Sequence, residues 1–484
     1  MGYMAYIRKV KTKSGATAVQ IVRKAYSRIV HLEHIGSAHT QTQLDMLMAL
    51  ARKRLLANQP SLFPEKQYPV KIRLKQSFSR LLWQMLLDQY QKLGFGELND
   101  DVFASLCVAR LVEPVSKLDS LRILQDLGQK PTAKNRLYRC LTRAAGRDYR
   151  EKVGRICFSH CGKEDLSLVL YDVTTLYFEI QKEDGYRRPG LSKERRLEPQ
   201  IVVGLLVNRH GFPLALTSFT GNTAETKTIL PVLEAFRQEH RLPKITVVAD
   251  AAMMNQTNLE ALAAAGYTYV VGSRLTKVPY DLAEYRKKKG RELTDGGIVT
   301  EKPEDKDYRI IYQYREKRAS LDKQNIAKQL AKAKRIVSGQ APVHRAKFVA
   351  FTGKSKYLNQ KLINKAAALV GIKGYVTNLK VPDEQVIEYY HQLFRVEASF
   401  RMAKSDLKAR PIFHRKRESI EAHLTIVLAA MAVGKTIEAK TGISLKQFVK
   451  TLKPIRSGVI TVNGNDCLVE AQIPEVIHTL LKKL

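Results

Sequence analysis

The sequence predicts an α/β protein: a mixed-sheet core interrupted by a charged insertion, preceded by a basic β-hairpin and a helical region. Three observations predict it. Between residues 166 and 273, apolar runs of strand length come in the order strand, strand, strand, helix, strand, helix, strand. Residues 276–372 lose that rhythm and become rich in charge. Hydrophobic residues make up 44% of 484, enough to fill more than one core, so a mainly disordered chain is excluded. The expected organisation is a basic β-rich region over 1–65, a helical DNA-binding region over 66–160 and a core over 161–275. An insertion over 276–372, the second part of the core over 373–440 and a tail over 441–484 complete it.

The elements follow from local pattern. YIRKVKTKSGATAVQIVRKAY alternates around KSG and reads as a basic hairpin. RLLWQMLLDQYQKLGF has apolar residues at three- and four-residue spacing and closes on Gly94. Further short helices run to about residue 160; a helix-turn-helix and a plain bundle both fit them. LSLVLYDV, QIVVGLLVN and FPLALTSF read as an antiparallel meander. TAETKTILPVLEAFRQEH reads as a helix with Thr223 as its N-cap. KITVVAD, NQTNLEALAAAG and YTYVVGSR give strand, helix and strand, and KGYVTN a later strand. A long helix is expected from about Glu384 through Lys404, followed by the strongly apolar IEAHLTIVLAAMAVGKTIEA.

Charge narrows the function. Lys and Arg number 82 against 46 Asp and Glu, a net charge of +36. A small anionic metabolite needs only local charge, whereas a polyanion is neutralised phosphate by phosphate, so nucleic acid is the expected partner. Five irregularly spaced cysteines make no disulfide framework. Cys157, His160 and Cys161 have no second Cys/His pair to complete a zinc site. No signal peptide is apparent and no run of about 18 apolar residues stands out, so a cytoplasmic protein without membrane contact is expected.

Two acids follow strand-like runs: Asp172 after LSLVLY and Asp250 after KITVVA. A carboxylate at the end of a buried strand is costly unless it is paired or binds metal. Strands one and four of such a sheet lie side by side, so the two acids are expected to share a divalent ion. A third acid comes from YYHQLFRVEASFRMAKSDL, where Tyr390, Glu397 and Lys404 are seven residues apart, close to two helical turns.

LVLYDVTTLYFE, GNTAETKTI, VVADAAM and the Tyr390-x2-Leu393-x3-Glu397-x6-Lys404 spacing together resemble the DDE transposases of bacterial insertion sequences. Among these they resemble the large group that carries a Tyr-x2-Arg-x3-Glu-x6-Lys signature. SKERRLEPQIVVGLLVNRHGFPLA and EKRASLDKQNIAKQL resemble the version with an insertion between the second Asp and the Glu. The resemblance spans roughly residues 165–430 and implies an RNase H-like core. It implies that Asp172, Asp250 and Glu397 are catalytic metal ligands and that Tyr390 and Lys404 contact DNA. Leu393 stands where the signature has Arg, and Arg401, one turn after Glu397, is placed to supply that cation.

The implied chemistry is phosphodiester cleavage and strand transfer with two Mg²⁺ or Mn²⁺ ions held by three carboxylates. The implied partners are double-stranded DNA, as terminal inverted repeats and target, and a second copy of the chain on that DNA. A nuclease that cuts without joining, and an inactive DNA-binding descendant, are the rival readings; retention of all three acids opposes the second. No P-loop and no Arg…His-x-x-Arg…Tyr arrangement of a tyrosine recombinase is present.

Overall fold

A computed structural model describes residues 4–12, 15–26, 28–56, 72–162, 166–179, 182–190, 198–242, 244–273, 280–289, 293–342, 346–352, 355–462 and 464–484. The SKERRL part of the resemblance, Lys13 and Ser14 of the hairpin turn, and the KVP that opens the charged stretch lie outside these residues. The chain forms two compact units, Met1–Arg73 with Thr461–Asn465, and Leu74–Ile460 with Asp466–Leu484.

In the first unit, β1 (Met4–Lys11), β2 (Thr17–Ala25) and β3 (Arg28–Ala38) make an antiparallel sheet in that order, followed by α1 (Gln41–Leu56). Val19 and Ile21 of β2 are buried against Ala51 and Leu47 of α1, so the alternation seen in the sequence supplies one apolar face.

β4 (Ile72–Phe78) spans the boundary in sequence at Arg73, and the second unit continues with a helical stretch: α2 (Arg80–Lys92), α3 (Asp101–Val112), α4 (Ser120–Asp126), α5 (Lys134–Gly146) and α6 (Tyr149–His160). Then come β5 (Leu168–Tyr177), β6 (Gln200–Asn208), β7 (Pro213–Thr220), α7 (Ile229–His240), β8 (Thr246–Ala249), α8 (Gln256–Ala264) and β9 (Thr268–Ser273). The charged stretch holds α9 (Tyr280–Lys289), β10 (Ile298–Glu301), β11 (Arg309–Tyr314), α10 (Glu316–Val337), β12 (Val349–Thr352), β13 (Ser355–Leu358) and α11 (Gln360–Ala368). β14 (Ile372–Thr377), α12 (Asp383–His391), α13 (Phe394–Arg401) and α14 (Arg417–Thr441) return to the core. α15 (Leu445–Leu452), β15 (Ser457–Val462), β16 (Asn465–Val469) and α16 (Glu475–Leu481) close the chain.

The large sheet has the order β10-β11-β14-β9-β8-β5-β6-β7. β5, β6 and β7 are antiparallel neighbours, and β8 and β9 run parallel to β5. β14 is antiparallel to β9. β10 and β11 therefore extend the core sheet through β14, and Ile311 of β11 is fully buried in the core. α7 starts at Ile229 rather than at Thr223, because Pro231 has no N–H and fits only the first turn.

Side-chain alternation divides the sheet into two faces. Val169, Tyr171, Val173, Val247 and Ala249 pack with α7 and α8. Leu168, Leu170, Val248, Val270 and Tyr375 pack on the other side with α12, α13 and α14. The apolar faces of α2, α3, α5 and α6 join that second core around α14, as a bundle would. α14 is long and apolar enough to cross a membrane by length and composition, contrary to the sequence-based expectation, but nearly all of its most apolar stretch is buried inside this core.

Candidate active site

The pattern expectation that β5 ends at Asp172 is corrected: the strand continues to Tyr177, because Val173, Thr174, Thr175 and Tyr177 favour strand and the segment stays paired with β6. What ends at Asp172 is the parallel pairing. The last β5–β8 pair is Tyr171 with Ala249, while Asp172 still pairs with Leu205 of β6. Asp172 thus stands where β8 leaves the sheet. Asp250 is the first residue after β8, so each acid lies one position past the Tyr171–Ala249 pair.

Parity aims both at one face. Asp172 follows Leu168 and Leu170, and Asp250 follows Val248, all on the side covered by α12, α13 and α14. The same row continues across the sheet. Asp250 stands beside Gly272 of β9, one past the Ala249–Val271 pair, and Gly272 pairs with Tyr375 of β14.

Asp250 caps a single 3₁₀ turn, Ala251–Met253, and its Oδ1 accepts the Ala251 N–H at 2.7 Å. The same oxygen accepts the Tyr390 hydroxyl at 3.2 Å. Tyr390, expected to meet DNA, is 6% exposed and faces the protein. Its ring lies edge-on to Tyr375 at 5.0 Å. Burial, the neighbouring Asp250 charge and the bond to that carboxylate push its phenol well up, so it stays a donor at neutral pH.

Glu397 sits exposed on α13, which packs on β5 and β6. Ser399, two residues on and fully buried, fixes this helix: its Oγ donates to the Gly211 carbonyl in the β6–β7 turn at 2.7 Å. Arg395, on another face, approaches His210 in the same turn. The long helix expected through Lys404 is divided. A tight turn, with Leu393 N–H on the Tyr390 carbonyl, separates α12 from α13, and Met402–Asp406 is a π-helical turn. The seven-residue stripe therefore splits. Tyr390 turns to Asp250, whereas Glu397, Arg401 and Lys404 line one cavity of about 300 Å³ with Asp172, Thr174 and Arg410. π-turns recur at functional sites because the extra residue re-aims side chains, here Lys404.

Sequence reasoning missed Lys373, Gly272 and Arg410. Lys373 Nζ lies 4.2 Å from the Tyr390 ring centre. Burial and Arg318 pull its ammonium down, while Asp250 and Glu397 hold it up. A polar residue in the otherwise apolar run of β14 was its one available signal.

The donor set is chemically suited to a hard divalent ion, since carboxylate oxygens are what Mg²⁺ and Mn²⁺ prefer. Among the described residues, no three His, Cys, Asp or Glu side chains are drawn into one ready-made cluster. Both contacts of Asp250, with the Ala251 N–H and the Tyr390 hydroxyl, fall on Oδ1.

The family defined as the transposase DDE domain matches residues 163–433, more than half of the chain. The chain belongs to that family and is a DDE transposase. Among solved structures it is similar to the cryo-EM structure of a piggyBac transposase synaptic complex with hairpin DNA. The TM-score is 0.41 at 10% identity, covering 78% of this chain and 79% of that one. No curated protein matches the chain.

Proposed function

We propose that this transposase binds the terminal inverted repeats of a bacterial insertion sequence as a dimer and cuts and joins DNA at Asp172, Asp250 and Glu397. The observation that carries the reading is the placement of Asp172 and Asp250, each one position past the Tyr171–Ala249 pair, with the helix bearing Glu397 packed on β5 and β6. The order β7-β6-β5-β8-β9, three antiparallel strands and two parallel ones, supports an RNase H-like core. Three carboxylates and a net charge of +36 support metal-dependent chemistry on a polyanion.

Divalent ions held by the three acids would activate the attacking oxygen and stabilise the departing 3′-oxygen. The protein's own residues then have separate tasks. Tyr390 orients the Asp250 carboxylate. Arg401 and Lys404 meet the phosphates of the entering strand beside Asp172 and Glu397, and Arg401 supplies the cation that Leu393 cannot. Leu393 is packed in the core, so an Arg there would have to bury its charge. The attacking hydroxyl belongs to water in cleavage and to a DNA 3′ end in joining, so no covalent enzyme intermediate forms.

Asp172→Asn keeps the size and shape of the side chain but removes an anionic donor. It is expected to retain binding to terminal-repeat DNA while losing cleavage. Gel shifts and nicking assays on one preparation check this; parallel loss of binding contradicts it. Cutting without any joined product in the wild type would favour a nuclease instead.

A further inference from the structure

We propose that Lys373 is a positioning residue of the acidic site, holding the Tyr390–Asp250 pair in place and competing with divalent ions for Asp250. The inference rests on the metal site proposed above. Lys373 lies on β14, two residues before Tyr375 and on the same face of the sheet. Its Nζ is 4.2 Å from the centre of the Tyr390 ring and 5.7 Å from that of Tyr375. The Tyr390 hydroxyl in turn donates to Asp250 Oδ1. A cation over a phenol face polarises the ring and makes its O–H a better donor, so the ammonium strengthens the bond that orients Asp250.

The charge has a second consequence. Asp250, which bonds the hydroxyl of the ring that the ammonium covers, is one of the three acids proposed to hold metal. Arg401 and Lys404 line the cavity on the Asp172 and Glu397 side, whereas Lys373 lies over the Tyr390 ring that bonds Asp250. Lys373 therefore offsets carboxylate repulsion before metal arrives and repels metal as it arrives. It reaches the site from a strand, not from the helix that carries the signature, so no local spacing reports it.

A purely structural lysine, packed against two tyrosines, predicts that its removal loosens the site and weakens metal binding. The positioning role predicts the opposite sign. Mn²⁺ binding to the full chain, followed by the spin-resonance signal of free Mn²⁺, separates the two. Lys373→Met is expected to bind Mn²⁺ about fivefold more tightly, the effect of removing one screened unit charge. End cleavage at saturating Mn²⁺ is expected to fall about tenfold as Asp250 loses its orientation. Lys373→Arg should restore both values. Lys373→Gln carries the same expectations if the methionine variant does not fold. Unchanged or weaker Mn²⁺ binding in these variants, beside a wild-type site that Asp172→Asn abolishes, overturns the role of Lys373 alone. A wild type with no Asp172-dependent Mn²⁺ site overturns the metal reading and this role together.

Discussion

A methyl group at position 272 would stand 2.7 Å from the Tyr390 hydroxyl and 3.2 Å from Ala251 Cβ. Gly272 is the gap in the row Asp172, Asp250, Gly272, Tyr375 through which the phenol reaches the acid. Gly272→Ala is expected to cost about 1–3 kcal/mol through overpacking, and to lower cleavage because the Tyr390–Asp250 bond is displaced. Removing the hydroxyl should relieve the clash, so Gly272→Ala with Tyr390→Phe should regain most of the stability but not the activity. Urea unfolding of the single and double variants checks this; equal losses in both would contradict it. The three acids proposed as ligands could be nominated from the sequence because each sits in a recognisable local pattern. Gly272 and Lys373 could not, since what each touches on α12 lies far along the chain or across the sheet.

Elements explain how the cationic rim of the cavity is held. After the π-turn, the segment from Leu407 to His414 runs over a buried basic group from α3, the loop after it, and α14. Arg110 donates to the Leu407 carbonyl at 3.4 Å, and His423 contacts the Ala409 carbonyl through Nε2 at 3.2 Å and Lys117 Nζ through Nδ1 at 3.3 Å. Burial, with Lys117, Arg110 and His414 nearby, pulls the His423 pKa well down. The folded state keeps His423 neutral, so below its unfolded pKa near 6.5 the unfolded chain binds a proton that the folded one refuses. Its contribution is complete above about pH 6.5 and is lost as pH falls, at up to about 1.4 kcal/mol per pH unit for this one group. Urea unfolding at pH 7.0 and pH 5.5 should show that loss, and His423→Gln should shrink it; equal pH dependence in both proteins would contradict the assignment. Strong patterns made β5 to β9 and α14 legible in advance. The continuation of β5 past an acid, the pairing of β10 and β11 with the core, and the π-turn were not. Each depends on contacts between distant segments rather than on local periodicity.

At the scale of the whole molecule, the proposed function has 82 basic residues serve a polyanion, with the cavity beside Asp172 as the place where that charge would meet the chemistry. If Arg401 and Lys404 contact phosphates, each displaces a counterion. Arg401→Ala and Lys404→Ala should each reduce the salt slope of end binding by about one unit. Affinities across a salt series decide it, and slopes equal to wild type in both variants would reject the phosphate contacts. The central claim is that Asp172, Asp250 and Glu397 act as one unit on divalent ions. Its most direct test measures cleavage and joining for Asp172→Asn, Asp250→Asn and Glu397→Gln, singly and in pairs, on terminal-repeat DNA with Mg²⁺. Each single variant is expected to lose at least ~10³-fold in both reactions, with the pairs no worse than the singles, because residues acting as one unit are non-additive. A single variant retaining near-wild-type rates, or losses that multiply in the pairs, would contradict the shared site.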